Sequence, residues 1–284
     1  MTSGGRMLID SDYMWNGFWM DLYILKIGGS VCTEKAKNVC EARAGVIRQI
    51  ALEIKAAQAE KEFKLILVHG AGPFGHKLVS GYGINNGVRT GRQVEGFVRT
   101  HNSMLALNKI FLDIFSEEGL NVVSIPPLAC IVQSGKKIRR FDYSLVKKLL
   151  DVSIIPVLHG DMVFDDRLGA SVVSGDAIIP FLAKKLGAKK VFFGTDVAGI
   201  FTADPKRHPG AKLIKKIHPR NMGETLLKVS GSSAVDVTGG MKGKLLELKS
   251  ILGGIEVFVF DSTKNGNVLN LLLGKTIPGT KITF

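Results

Sequence analysis

Apolar residues gather in six short blocks along the chain: LYILKI (22 to 27), KLILVH (64 to 69), NVVSI (121 to 125), IIPVLH (154 to 159), KVFFG (190 to 194) and IEVFVF (255 to 260). Blocks of this length, rich in β-branched and aromatic side chains, predict strands covered on both faces. Between them apolar residues recur three or four positions apart. Val46, Ile47, Ile50 and Ile54 form one such set, and Leu107, Ile110, Phe111, Ile114 and Phe115 a second. Leu145, Leu149 and Leu150 form a third, and Leu245, Leu246, Leu248 and Leu252 a fourth. That spacing predicts helices with one buried face. Strand and helix in alternation predict an α/β fold, with a mainly parallel sheet sandwiched between helices in three layers (αβα) and ligand loops at the carboxyl ends of the strands. The stretch DMVFDDRLGASVVSGD (161 to 176) is polar and turn-rich. It reads as the passage between two lobes, 20–165 and 166–284, of one continuous fold, preceded by an extension over 1–19.

Composition adds a preference for anions. A hydrophobic content of 45% in 284 residues excludes a disordered chain and suffices for a large core. The net charge of +13 suits nucleic acid, acidic lipid or a phosphorylated small molecule. Basic residues come in short groups such as KKIRR (136 to 140) and KKLGAKK (184 to 190), without interleaved aromatics or a nucleic-acid module. These read as solvated faces and loop ends, so a small molecule is expected as partner and nucleic acid is not. Cys32, Cys40 and Cys130 form no C-x-x-C pair, against a disulfide framework or a structural zinc, which points to a reducing, cytoplasmic setting. No run approaches the roughly 18 apolar residues that span a membrane, and the N-terminus lacks a signal-peptide core. No membrane partner is expected. Trp15, Phe18 and Trp19 in the extension form a small apolar patch that would dock on the body, and Met20 stands immediately before the first strand.

The chemistry lies in the glycine loops. GAGPFG (70 to 75) fits G-x-G-x-x-G, but it follows the second strand, and Glu95 lies in a stretch without strand pattern where a dinucleotide fold needs a strand ending in an acidic residue. The dinucleotide reading is therefore weak. At the first strand, Lys26 is followed by Gly28, Gly29 and Ser30, with Lys35 nearby; near the far end, Gly239 and Gly240 stand beside Lys242 and Lys244. Paired glycines let backbone N–H groups approach an anion, and a neighbouring lysine adds a full charge. Singly each is an ordinary turn or surface lysine. Three such loops, with GTDVAGIFTADP (194 to 205), point jointly to a site for several phosphates. The NTPase phosphate-loop pattern G-x-x-x-x-G-K-[ST] is matched nowhere.

The ordered set KIGGS, VHGAGPFGH, HGD, GD, TDVAGIFTADP and TGGMKGK resembles the amino acid kinase superfamily from about Met20 to the end, and is highly specific to it. The FGH ending at His76 is similar to the isopentenyl phosphate kinases, which make isopentenyl diphosphate from isopentenyl phosphate and ATP; relatives acting on amino acids, carbamate or UMP lack that histidine. The resemblance implies that 20–165 is the acceptor lobe and 166–284 the nucleotide lobe. It implies that Lys26, Gly28, Gly29, Ser30 and Gly72 hold ATP phosphates and that Lys35 stabilises the transferring group. Ala71, Gly72, His76 and Gly160 would hold the substrate phosphate. Asp176 would orient the lysines, Thr195 and Asp196 would help seat the nucleotide, and Gly240 with Lys244 would contact its phosphates, with Lys242 a second candidate beside them. It further implies Mg²⁺ bound through the nucleotide, with no metal held by the protein alone, and a homodimer. Pro73 departs from the small residue expected there and removes an N–H from the loop.

Elementary chemistry agrees with a phosphate acceptor. Phosphoryl transfer needs in-line placement and neutralised charge on the equatorial oxygens, which lysines and amides supply. A phosphate monoester, with a second pKa near about 6, is mostly dianionic at neutral pH and needs no general base. Two other readings stay open: a kinase of the same superfamily for another anion, such as a phosphonate, and a non-catalytic ligand-binding or nucleic-acid-binding protein on this fold. His76 could instead cap a helix, His69 and His159 at strand ends read as braces for their loops, and Asp161, Asp165 and Asp166 read as solvated turn carboxylates.

Overall fold

The computed structural model describes residues 20–34, 40–225 and 255–283. Its central strand β1 (Leu22–Ile27) is buried along its whole length. Successive side chains point to opposite faces, so Tyr23, Leu25 and Ile27 join one core cluster while Leu22 and Ile24 join the other. The parity matters at the end of the strand. Lys26 shares the face of Ile24, and that decides which helix it meets.

Helix α1 (Gly29–Cys32) turns the chain out of β1; α2 (Ala44–Glu60), β2 (Lys64–His69) and α3 (Pro73–Gly81) follow. A 3-10 turn (Ile84–Asn86) leads into the long α4 (Gly91–Glu117), whose start is fixed by a capping box between Thr90 and Gln93. Then come β3 (Val122–Ser124), α5 (Pro127–Cys130), β4 (Ile131–Ser134), β5 (Lys137–Phe141), α6 (Ser144–Asp151) and β6 (Ile155–His159). The chain continues through β7 (Asp161–Asp165), β8 (Gly169–Val173), α7 (Gly175–Leu186) and β9 (Lys190–Thr195). It ends with β10 (Lys216–Ile217), β11 (Glu256–Asp261), α8 (Asn267–Leu272) and β12 (Gly279–Ile282).

Eight strands form the main sheet in the order β10-β12-β11-β9-β1-β2-β6-β3. All neighbours are parallel except β11 and β12. Ile47, Ile50 and Ile54 of α2 and Leu107 and Phe111 of α4 cover one face; Ile178, Ile179 and Leu182 of α7 and Val146 and Leu150 of α6 cover the other. All six predicted strands and the three predicted helices within the described residues are present. The helix expected around Leu245 to Leu252, and the extension over 1–19, lie outside the described residues.

One expectation is corrected. The stretch over 161–176 is not turn-rich: it forms a β-hairpin, β7 with β8, followed by the first turn of α7. The hairpin belongs to a second sheet, ordered β5-β4-β7-β8. Its aspartates disguise it. Asp161 and Asp165 are each 2% exposed rather than solvated, because each carboxylate is satisfied from within the fold; Asp166 alone behaves as expected, exposed and paired with Arg139. The proposed lobe boundary at 165/166 falls in the turn of this hairpin.

Candidate active site

The carboxyl ends of β1, β2, β6 and β9 converge on two glycine loops packed main chain against main chain. A Cβ on Gly29 would lie 2.5 Å from the Gly72 nitrogen, and one on Gly70 would lie 2.4 Å from the Gly29 nitrogen. Gly72 adds a positive φ of 51°, with Thr33 Oγ1 only 2.0 Å from any Cβ placed there. Only glycine fits. The loops are tied to the sheet by Gly28 N–H donating to Gly194 O at 3.0 Å and Gly70 N–H donating to Ile27 O at 2.8 Å. Gly72 also caps α3, which places Pro73 at the first helical position. An N–H there has no partner within the helix, so the proline forfeits no helical bond and its fixed φ suits the turn. The departure at Pro73 is thereby accounted for.

Charge is arranged around this cradle. Lys26 leaves the sheet on the α7 face and its ammonium donates to Asp176 Oδ1, in the first turn of α7. The pair is buried, and Phe193 lies 5.7 Å from the ammonium. Ser30 Oγ donates to Asp196 Oδ1 at 2.8 Å, and Lys206 donates to the other oxygen of Asp196. Burial works to raise the Asp196 pKa, but Lys206 and Ser30 outweigh it and hold the carboxyl below its usual range. Thr195 is turned inward, its hydroxyl proton shared between the carbonyls of Val197 (2.8 Å) and Phe260 (3.1 Å), and so shapes the loop that presents Asp196.

A cavity of about 410 Å³ opens beside the cradle. Lys26, Gly28, Gly29, Ser30, Ala71, Gly72, His76, Gly160 and Asp176 all line it, so nine of the residues singled out in the sequence meet in one space. Val79, Met104 and Val172 give it an apolar wall that continues into the small core of Ile84, Met162 and Ala170. Beneath the loops, His69 and His159 stack with ring centroids 5.2 Å apart, and their Nδ1 atoms lie 3.1 and 3.0 Å from the carbonyls of Gly70 and Gly160. They brace the loops, as expected. Burial pushes both imidazoles down to about 4. Asp161 behind Gly160 is raised by its burial, although His159 and His101 oppose the shift, and its carboxylate meets His101 Nδ1 at 2.9 Å.

Residues 21–261 match the model of the amino acid kinase family. The chain is 38% identical to isopentenyl phosphate kinase of Methanocaldococcus jannaschii, over 93% of this chain and 99% of that one. The isopentenyl phosphate kinase of Methanothermobacter thermautotrophicus is 36% identical over 92% of this chain and 99% of its own. The chain belongs to the amino acid kinase family, and within it to the isopentenyl phosphate kinases. A solved isopentenyl phosphate kinase superposes with a TM-score of 0.77 at 32% identity, covering 92% of this chain and all of the other.

Within this isopentenyl phosphate kinase fold, the expected phosphate-contacting residues Lys35, Gly240 and Lys244, with Lys242 beside them, lie outside the described residues. Sequence reasoning missed Lys206, His101, Gln133, Asn86 and Lys136. Lys206 directly follows TADP and could have been noticed as the cation next to a nucleotide loop. For Gln133, Asn86 and Lys136, which line the cavity, and for His101, which meets the lining residue Asp161, there was no signal, since each comes from an element whose position only the fold supplies. Cys32, under the cradle, is pushed up to about 12 by burial and stays a protonated packing group.

Proposed function

We propose that the chain transfers the γ-phosphoryl group of ATP to isopentenyl phosphate, giving isopentenyl diphosphate and ADP, with the nucleotide on the Lys26–Ser30 side and the acceptor on the His76 side of one cradle. The observation that carries this is the single cavity in which a buried lysine, two glycine loops and His76 meet an apolar wall. A phosphate with a short hydrocarbon tail matches both halves. The backbone N–H groups and Lys26 neutralise the nucleotide phosphates, and Asp176 fixes the direction of that ammonium. His76, in the first turn of α3, and the amide of Ala71 receive the acceptor phosphate, with Gly160 lining the same end of the cavity. An oxygen of the acceptor dianion attacks Pγ as the Pγ–O bond to ADP breaks, and no proton has to be removed first. Val79, Met104 and Val172 take the hydrocarbon and keep water from competing. Lys35 and Lys244, outside the described residues, are assigned the transferring group and the nucleotide phosphates on the family resemblance alone.

Mg²⁺ fits here as an ion carried by ATP oxygens, because the three carboxylates at the cradle and cavity among the described residues are already engaged, Asp176 by Lys26, Asp196 by Ser30 and Lys206, and Asp161 by His101 and Met162 N–H. When bound, it neutralises charge on the phosphate oxygens. Among the described residues no helix is long and apolar enough to cross a membrane. A cytoplasmic homodimer with separate acceptor and nucleotide lobes is part of the same proposal.

An acceptor panel tests the reading. ADP release is expected with isopentenyl phosphate and dimethylallyl phosphate, and little or none with UMP, aspartate or the phosphonate fosfomycin. Faster turnover of fosfomycin or UMP than of isopentenyl phosphate would assign the cavity to a different acceptor.

A further inference from the structure

We propose that Lys136 is an acceptor-selecting residue at the cavity mouth: its ammonium, resting on Asn86 across the opening, draws in the acceptor phosphate dianion and gives way as it passes. This rests on the reading of the cavity as the acceptor site. Lys136 and Asn86 are both exposed, both line the cavity and come from different elements, the β4–β5 turn and the 3-10 turn after α3. Lys136 Nζ donates to Asn86 Oδ1 at 3.2 Å.

The backbone shows that a lysine is held here against local preference. Ser134 pairs with Lys137, leaving Gly135 and Lys136 as a two-residue hairpin turn with φ of 59° and 65°. Such turns favour Asn-Gly or Gly-Gly, because positive φ is unfavourable for a long side chain. Lys136 and Ser153 are the non-glycine residues with positive φ among those described. The turn is fastened from below. The buried Asp165 carboxylate accepts from Gly135 N–H at 2.9 Å and Lys136 N–H at 2.7 Å, and also from Arg167 N–H, Leu168 N–H and Ser171 Oγ. Burial alone would raise the Asp165 pKa, but these donors hold it well below the usual carboxylate range. Gln133, itself buried and lining the cavity, donates to Lys136 O at 3.2 Å, and its Oε1 lies 2.6 Å from Ser171 Oγ, whose single proton it shares with Asp165. A surrounding that over-determines an unfavourable φ marks a position held for function. What the position presents is a positive charge over the opening through which a dianion must pass, and a charge there raises the local substrate concentration.

The test uses full-length wild type, Lys136→Gly, Lys136→Arg and Lys137→Gln, with kcat/KM for isopentenyl phosphate and KM for ATP measured at about 20 mM and about 500 mM salt. Glycine suits the positive φ, so Lys136→Gly removes the charge without a folding penalty, and its melting temperature should equal or exceed wild type. It should lower acceptor kcat/KM by about 5- to 10-fold at low salt, with the gap shrinking at high salt and KM for ATP little changed. Lys136→Arg should recover most of the loss. Lys137→Gln, the same charge change on the neighbouring residue that does not line the cavity, should behave as wild type. An acceptor kcat/KM and salt slope unchanged in Lys136→Gly, or an equal loss in Lys137→Gln, overturns the role of Lys136 while wild-type turnover leaves the reaction standing. A wild type inert toward isopentenyl phosphate overturns both.

Discussion

In the proposed reaction two residues divide the chemistry at the cradle. Lys26 is buried and fixed by Asp176, so it is an oriented charge and not a mobile one, and its loss should fall on the transition state. Lys26→Met is expected to reduce turnover by about 10²-fold or more. Circular dichroism and steady-state rates on the same preparation check it; a folded variant with near-wild-type turnover would remove Lys26 from the transfer. His76 stands on the other side. His76→Ala should raise KM for isopentenyl phosphate and lower kcat while KM for ATP changes little, and Asn or Gln there, each keeping a hydrogen-bonding group without the imidazole's geometry, should recover only part of the loss. A raised KM for ATP with an unchanged acceptor KM would move His76 to the nucleotide side. The Lys26–Asp176 pair also shows the reach of sequence reading. Its members stand 150 residues apart, and each was singled out from its own local motif and the family it resembles. The resemblance implied that Asp176 orients lysines, and strand parity gives the physical reason: Lys26 leaves β1 on the face that α7 covers.

At the scale of elements, the cradle depends on two loops close enough to exclude a single methyl group. Gly72→Ala would meet both a φ of 51° and Thr33 Oγ1 at 2.0 Å, and should lower the melting temperature by several degrees as well as raise KM for ATP. Gly81→Ala, at the end of the same helix and facing open space, should leave the melting temperature close to wild type. Differential scanning calorimetry of the pair separates backbone fit from a general effect of α3; equal melting temperatures would contradict the packing described. The glycine loops were legible because a close backbone approach leaves its mark as glycine. The β7–β8 hairpin was not. Asp161 and Asp165 break the apolar alternation of β7 at both ends, and their burial becomes permissible only through partners such as His101, Ser171 and the turn at Gly135, brought from other elements. Edge strand β5 was hidden in the same way, since KKIRR carries its charges on a solvated face.

Across the whole molecule, the parallel sheet brings two identical dipeptides, His69-Gly70 and His159-Gly160, side by side in register at the ends of β2 and β6. Both imidazoles stay neutral in the fold down to about pH 4, whereas in the unfolded chain they take up a proton near 6.5. Between those values the unfolded state binds more protons, so stability is full above about pH 6.5 and is lost as pH falls toward 4, at up to about 1.4 kcal/mol per pH unit for each histidine. Urea unfolding at pH 7, 6 and 5 should show this slope, and His159→Gln should flatten it; an unchanged slope would place the acid sensitivity elsewhere. Fold class and strand order along the chain were legible because hydrophobic periodicity records them. The cavity was legible only in its phosphate half, whose glycines and lysines form motifs, whereas its apolar wall is made of Val79, Met104 and Val172 from three elements whose own patterns look like ordinary core. The account as a whole turns on what the transferred phosphoryl group is attached to, and ³¹P NMR of wild-type chain with ATP, Mg²⁺ and isopentenyl phosphate reads that bond directly. The predicted result is loss of the acceptor monoester signal and growth of two mutually coupled diphosphate signals distinct from those of ADP; growth of inorganic phosphate with the monoester signal intact would contradict it.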